Sequence, residues 1–212
     1  MTTPSFVLTY DSLTETVLQY LERNDAAVVN FIPTAITMAE FEIAQQIKTL
    51  GQMQVVVSSF TPNNPIIQKP SRWRKTTSIS VGNAVGQPEP ILLRKLEYLY
   101  NYVDYDTPGL PKYYADYDYD HWFFAPVPDQ AYPFEAIVYT RLQPLASDNQ
   151  TNWLTQNAPN AMLFGTLKQT APFLKDDSRL AVWTQMFNEA MGALKAEDQL
   201  RIADRQAIAG DS

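Results

Sequence analysis

The residues best suited to chemistry lie in one run, Tyr113–Pro126, which reads Tyr-Tyr-Ala-Asp-Tyr-Asp-Tyr-Asp-His-Trp-Phe-Phe-Ala-Pro. It holds His121, the single histidine of the chain, and three alternating aspartates, Asp116, Asp118 and Asp120. That spacing opens a calcium loop of the EF-hand type. The sixth position, however, is His121 where the turn needs glycine, and the twelfth is Val127 where the ion needs a bidentate carboxylate. On one straight strand the three aspartates would share a face and could take a divalent ion. In a hairpin, Asp118-Tyr119-Asp120 is the tip and the aspartates are turn formers, which is the favoured reading. Zinc would have to bind without cysteine and with one histidine. A Ser-His-Asp hydrolase has no Gly-x-Ser-x-Gly elbow to build on. The sequence therefore assigns no catalytic, metal-binding or cofactor-binding residue and no enzymatic activity.

Two further patterns could bind. Lys69, Arg72, Arg74 and Lys75 surround Trp73, the densest basic cluster in the chain. Cations around an aromatic ring suit single-stranded nucleic acid, but they also suit a strand edge guarded by charge, which fits the acidic whole better. Eight of the 12 tyrosines fall between Tyr98 and Tyr119. Tyrosine has an apolar body and a polar tip and is enriched at interfaces; a carbohydrate- or ligand-binding face is the rival reading. Gly82-Asn-Ala-Val-Gly86 lacks the Gly-Lys-Ser/Thr ending of a phosphate loop.

These residues must be held by a chain of 212 residues, 45% of them hydrophobic, with a net charge of −7. The composition supports a real core and argues against binding nucleic-acid backbones or acidic membranes. There is no cysteine. No apolar run is read as approaching the ~20 residues of a membrane span, and no signal peptide is read at the start, so a soluble, non-exported protein is expected.

Ser12–Glu15 fits a capping box for a helix over Ser12–Arg23 carrying Leu13, Val17, Tyr20 and Leu21. Asn24-Asp25 caps the next. Its stripe runs from Val28 to Leu50, with a break or kink expected near Phe31–Pro33 and a stop at Gly51. Met53–Phe60 and Thr76–Val81 read as strands, Ile66-Ile67 as a short return strand, Gly82–Pro90 as loop, and Ile91–Tyr102 as a helix. Tyr105–Pro111 is loop, and Phe134–Leu142 is a strand. Thr151–Gln156 is a single turn. Pro159 starts a helix that Pro172 ends or kinks. Asp176-Asp177-Ser178 starts the last helix, with Leu180, Trp183, Phe187, Ala190 and Leu194 on one face. Beyond Leu194 that face carries Glu197, Asp198 and Arg201, while helical propensity continues to about Gln206, so the helix outruns its apolar stripe and is free to meet another chain. The fold class is α+β: a helical bundle from residues 1–52 and 146–212, with a β-rich module over 53–145 inserted between them.

Three pieces together carry a family likeness. The first is Asn152-Trp-Leu, Ala158-Pro-Asn-Ala-Met-Leu-Phe-Gly165, Ala171-Pro-Phe-Leu-Lys-Asp-Asp-Ser-Arg-Leu180 and Trp183. The second is Tyr113-Tyr-Ala, Phe124-Ala-Pro-Val-Pro-Asp129 and Arg141-Leu-Gln-Pro-Leu145. The third is Ile32-Pro-Thr-Ala-Ile36 followed by Ala39-Glu40. The set resembles the head-to-tail adaptor proteins of tailed bacteriophages, the tail-tubular-protein-A-like proteins of short-tailed phages in particular. The resemblance implies a virion structural protein of the tail or neck, made in the host cytoplasm. It implies a homo-oligomeric ring, typically of twelve, joining the portal protein to the tail tube or nozzle protein and continuing the DNA channel, with no membrane and no cofactor. The acidic balance agrees, since it would let DNA pass a ring lumen without sticking. The expected interface residues are Trp73, Tyr117, Asp118, Tyr119 and Asp120 on the β-rich module, and Glu197, Asp198, Arg201 and Arg205 on the last helix.

Overall fold

The computed structural model describes residues 7–47, 52–82, 87–102, 107–175 and 177–210; the side chains of 102, 177 and 200–210 fall outside that description. Expectations placed on Phe6, Leu50, Gly51, residues 83–86, Tyr105, Asp176 and the side chains of Arg201 and Arg205 therefore lie outside the described residues. The chain divides into two compact units, one of residues 1–51 with 142–212, the other of residues 52–141. Mixed α and β structure, with helices toward both ends and strands between, matches the fold class expected from sequence.

In the helical unit, α1 spans Tyr10–Leu21. Its capping box is Thr9–Ser12, not Ser12–Glu15. The Thr9 hydroxyl accepts the Ser12 N–H at 3.1 Å, and Ser12 Oγ accepts the Thr9 N–H at 2.8 Å. A hydroxyl at either end satisfies both donors, so the box needs no carboxylate. Leu13, Val17 and Leu21 are buried as expected, but Tyr20 faces outward.

Helix α2, Ala26–Gln46, starts at the expected cap: Asp25 Oδ1 accepts the Val28 N–H at 3.2 Å. The expected break at Pro33 is absent; the helix runs through it. Proline there forfeits one bond to the Val29 carbonyl. Val29 is on the exposed side, where water can serve that oxygen, while Val28, Ile32, Ala35, Ile36, Ala39 and Ile43 stay buried in one stripe. The stripe's burial outweighs the single lost bond. The helix stops at Gln46, before the expected Leu50, with Ile47 extended behind it.

α2 has the length and apolar composition to cross a membrane, contrary to the sequence reading. Its buried stripe belongs to the core of the helical unit, and it carries Glu40 and Glu42.

Asn152 caps α4, Trp153–Asn157, and Pro159 opens α5, Pro159–Leu174. Pro172 lies inside α5, two residues before its end at Leu174, and the capping Lys175 turns left-handed at φ 56°. α6 runs from Asp177 to Gly210. Trp183, Phe187, Met191 and Leu194 are its buried face. Gly165 lets α5 approach both neighbours. A Cβ there would lie 3.1 Å from the Phe187 ring and 3.2 Å from Ala39 Cβ.

The second unit is a seven-stranded sheet in the order β1-β7-β3-β4-β5-β6-β2. The strands are β1 Met53–Ser59, β2 Ile66–Gln68, β3 Trp73–Gly82, β4 Pro88–Leu93, β5 Tyr113–Asp116, β6 His121–Ala125 and β7 Pro133–Thr140. All neighbours pair antiparallel except β4 and β5, which run parallel at Leu92–Tyr113 and Leu93–Tyr114.

Two local readings change here, and the expected edge at Trp73 is localised. Ile66-Ile67 does not return along β1; it pairs with Phe123 and Trp122. Ile91–Leu93 belongs to β4, so helix α3 covers only Leu96–Tyr102. β3 is flanked on both sides only at Ile79–Gly82, by β7 and β4; Trp73–Ser78, which carries Arg74 and Lys75, pairs with β7 alone.

Alternation along β5 and β6 explains why this run is so apolar. Tyr114, Trp122 and Phe124 join the main sheet core with Phe60, Ile79, Val81 and Phe134. Ala115, Phe123 and Ala125 face the other way, onto Leu99 of α3. A strand pair covered on both faces needs apolar residues at every position.

Candidate interaction site

The hairpin is where sequence reasoning placed it. β5 and β6 pair from Tyr113–Ala125 to Asp116–Trp122, leaving Tyr117–Asp120 as the connection. One carboxylate organises that turn. Asp118 Oδ1 accepts the backbone N–H groups of Asp120 and His121, each at 2.7 Å. Both carboxylate oxygens lie 2.9 Å from His121 Nδ1. Desolvation pushes the Asp118 pKa up, but the hydrogen bonds from the His121 ring and the two N–H groups prevail and hold it below the usual range.

The brace comes from outside the hairpin. The Lys69 side chain is only 2% exposed. Its Nζ lies 2.8 Å from Asp116 Oδ1 and donates to the Asp118 carbonyl at 2.8 Å. It also sits 3.8 Å above the centre of the Trp73 ring. The Lys69 N–H adds a bond to the Asp120 carbonyl at 2.7 Å. Trp73 in turn meets the Tyr119 ring edge-on, with centroids 6.1 Å apart. Thr76 Oγ1 accepts the indole N–H of both Trp73 and Trp122, at 3.1 and 2.9 Å.

The structure thus brings Trp73 together with Asp118 and Tyr119, residues that sequence reasoning singled out separately. It places Lys69 in the interior, not in an exposed basic cluster. Sequence reasoning grouped Lys69 with the arginines and missed this role. Nothing local marks a lysine as buried; the signal is the carboxylate, carbonyl and indole that surround it in space.

The aspartates do not converge on a common point. Asp116 is taken by Lys69 and Asp118 by His121 and the turn. Among the described residues no group of three His, Asp or Glu side chains is arranged to hold a metal. What the arrangement offers is a stiff tip with Tyr117 and Tyr119 exposed.

Tyr117 stacks on Phe123, and Tyr100 packs against the same ring at 5.5 Å. Arg94 lies over Tyr98 and Tyr113. Beside them an open basin of about 900 Å³ is lined by Leu93, Arg94, Lys95, Leu96, Glu97 and Ala115. At one end of the sheet β1 leaves an edge unpaired, with Val55 and Val57 exposed and no charge in the strand.

On the helical unit, Lys195 Nζ donates to Gln46 Oε1, the end of α2, at 3.1 Å. Glu197 lines a groove with Asn157–Ala161, the start of α5. α2 and α5 therefore both reach their limits level with Lys195–Glu197, and α6 continues as helix to Gly210. Glu197 is exposed and Asp198 half-buried.

This set of surfaces and structural braces goes with what comparison finds. Residues 8–209 match the family described as SU10 adaptor protein. The chain belongs to the SU10 adaptor protein family. No curated protein matches it. As a member of a bacteriophage adaptor family, it is a virion structural protein, and membership implies a structural rather than an enzymatic role. The match takes in both units of this SU10 adaptor, from Leu8 at the start of the helical unit through the whole sheet to α6.

Proposed function

We propose that this SU10 adaptor protein is the subunit of a head–tail adaptor ring. The ring joins the portal to the tail tube or nozzle and continues the DNA channel, with twelve copies as its stoichiometry and a short-tailed virion as its setting. The subunit is made in the host cytoplasm. The observation that carries this reading is the family match over residues 8–209. The helical module of residues 1–52 and 146–212 meets the portal through α6 after Leu194, with Glu197, Asp198, Arg201 and Arg205. The β-rich module of residues 53–145 meets the tail side through Tyr117–Asp120 and Trp73. Support comes from the projection of α6 beyond α2 and α5, and from the braced tip with two exposed tyrosines. The net charge of −7 favours a lumen that DNA does not adhere to.

A glycan-binding face on the tyrosines is the rival. Tyr117 already has one face against Phe123, and Tyr98 packs edge-on against Tyr113, so faces that a sugar ring would stack on are partly occupied. Removing the residues after Leu194 tests the proposal. The truncated chain is expected to fold and to lose its place on purified portal in co-sedimentation, and normal attachment would refute it. A glycan array is expected to give no hits.

A further inference from the structure

Glu40 is the one buried carboxylate among the described residues. It projects from α2 and holds one strap, residues 143–152, at Leu145 and at Asn152. Its Oε1 accepts Asn152 Nδ2–H at 2.7 Å and the Leu145 N–H at 3.1 Å, and Oε2 shares the latter at 3.3 Å. The strap doubles back on itself. Ala146 and Asn149 exchange backbone hydrogen bonds of 3.1 and 3.0 Å, Asn149 Nδ2 donates to the Pro144 carbonyl at 2.6 Å, and Asn152 Nδ2 donates to the Gln143 carbonyl at 3.1 Å. Asn152 also caps α4, its Oδ1 accepting the N–H groups of Leu154 and Thr155 at 3.0 and 3.2 Å.

Every donor to Glu40 is a neutral amide. The titratable groups on the elements around it are Asp148 at the exposed turn of the strap, Tyr10, Asp11, Glu15 and Tyr20 of α1, Glu42 of α2 and Lys168 of α5. None bonds to Glu40. Lys168, the cation that α5 turns toward α2, bonds Glu42 and lies over the Phe187 ring. An anion at Glu40 would thus be buried with no cation bonded to it among the described residues, which is costly even when amides serve its lone pairs.

We propose that residues 143–152 form a proton-linked clasp, closed on Glu40 in its neutral form and loosened when that carboxyl ionises. A neutral carboxyl keeps the carbonyl oxygen that Asn152 and Leu145 bind without burying a charge. Opening the strap lets water reach the anion, and it removes the cap of α4. Burial raises the Glu40 pKa from 4.5 to about 7, against the opposing hydrogen bonds from Leu145 and Asn152. The closed strap therefore holds an extra proton between about pH 4.5 and 7, and closure weakens as pH rises through that window.

Amide hydrogen exchange in the full-length chain tests this, read at Leu145 and across 143–152 at pH 5.5 and 8.5 and corrected for intrinsic exchange. Protection is expected to fall about tenfold or more in the wild type, as one pKa unit of linkage corresponds to tenfold, and to stay level in Glu40→Gln. A level wild type, or an equal fall in both proteins, would overturn the proposal. A carbon-13 titration of the wild-type Glu40 carboxyl gives an independent reading, whether or not the variant folds. A midpoint near 7 is expected, and one near 4.5 would overturn the clasp.

Discussion

Lys69 and Asp116 form an ion pair of unequal partners: at 2.8 Å separation the lysine side chain is 2% exposed and the aspartate 53%. The asymmetry tells which partner matters. Losing Asp116 removes a half-solvated charge. Losing Lys69 also removes the bond to the Asp118 carbonyl and the cation over Trp73. Lys69→Met is expected to cost about 1–3 kcal/mol, and Asp116→Asn about 1 kcal/mol or less. Urea unfolding followed by tryptophan fluorescence checks both. Equal costs would remove Lys69 from its bracing role.

Gly165 sets two known effects against each other. Alanine in a helix is favoured over glycine by about 1 kcal/mol. Here, however, its Cβ would meet Phe187 and Ala39 at 3.1 and 3.2 Å, and both are wholly buried. Overpacking of this kind costs about 1–3 kcal/mol. Gly165→Ala is therefore expected to lower the thermal midpoint; an increase would mean that α5 and α6 can move apart freely.

Much of this was legible beforehand, and the reasons for the rest are physical. The Asp-Tyr-Asp turn, the Asp25 cap, Pro159 at a helix start and the Trp183–Phe187–Leu194 face are local signals, and local signals survive folding. The partner of Ile66-Ile67, the parallel pairing of Leu92 with Tyr113 and the assignment of Ile91 to β4 are set by distant chain, which periodicity cannot report. At Pro33 the tendency to break the helix is opposed by the burial of the α2 stripe, and the helix is continuous through it. At the candidate site the hairpin turn was legible, while the lysine that links it to Trp73 was not, since burial of a charge depends on partners 49 residues away.

Global stability should carry the mark of Glu40. Its folded pKa of about 7 lies above the unfolded value of 4.5, so its contribution is fully present below pH 4.5 and is lost as pH rises through 7. The change amounts to about 3 kcal/mol at most. Denaturant unfolding at intervals from pH 4.5 to 8.5 should show the wild type losing stability relative to Glu40→Gln. Parallel curves would show that Glu40 does not titrate on folding.

The open edge of the sheet is the expected point of unwanted association. β1 is uncharged, and Val57 is 73% exposed opposite Glu135 of β7. A lysine at position 57 would place a cation beside Glu135 and guard the edge. Val57→Lys is expected to shift stability by less than about 0.5 kcal/mol and to raise the temperature at which turbidity appears. An unchanged onset would place the aggregating surface elsewhere.

The adaptor role is tested most directly by negative-stain microscopy of the purified protein mixed with portal rings. A collar of density added to one end of each portal, with rotational symmetry matching the ring, is the expected result. Bare portals at saturating protein would contradict it.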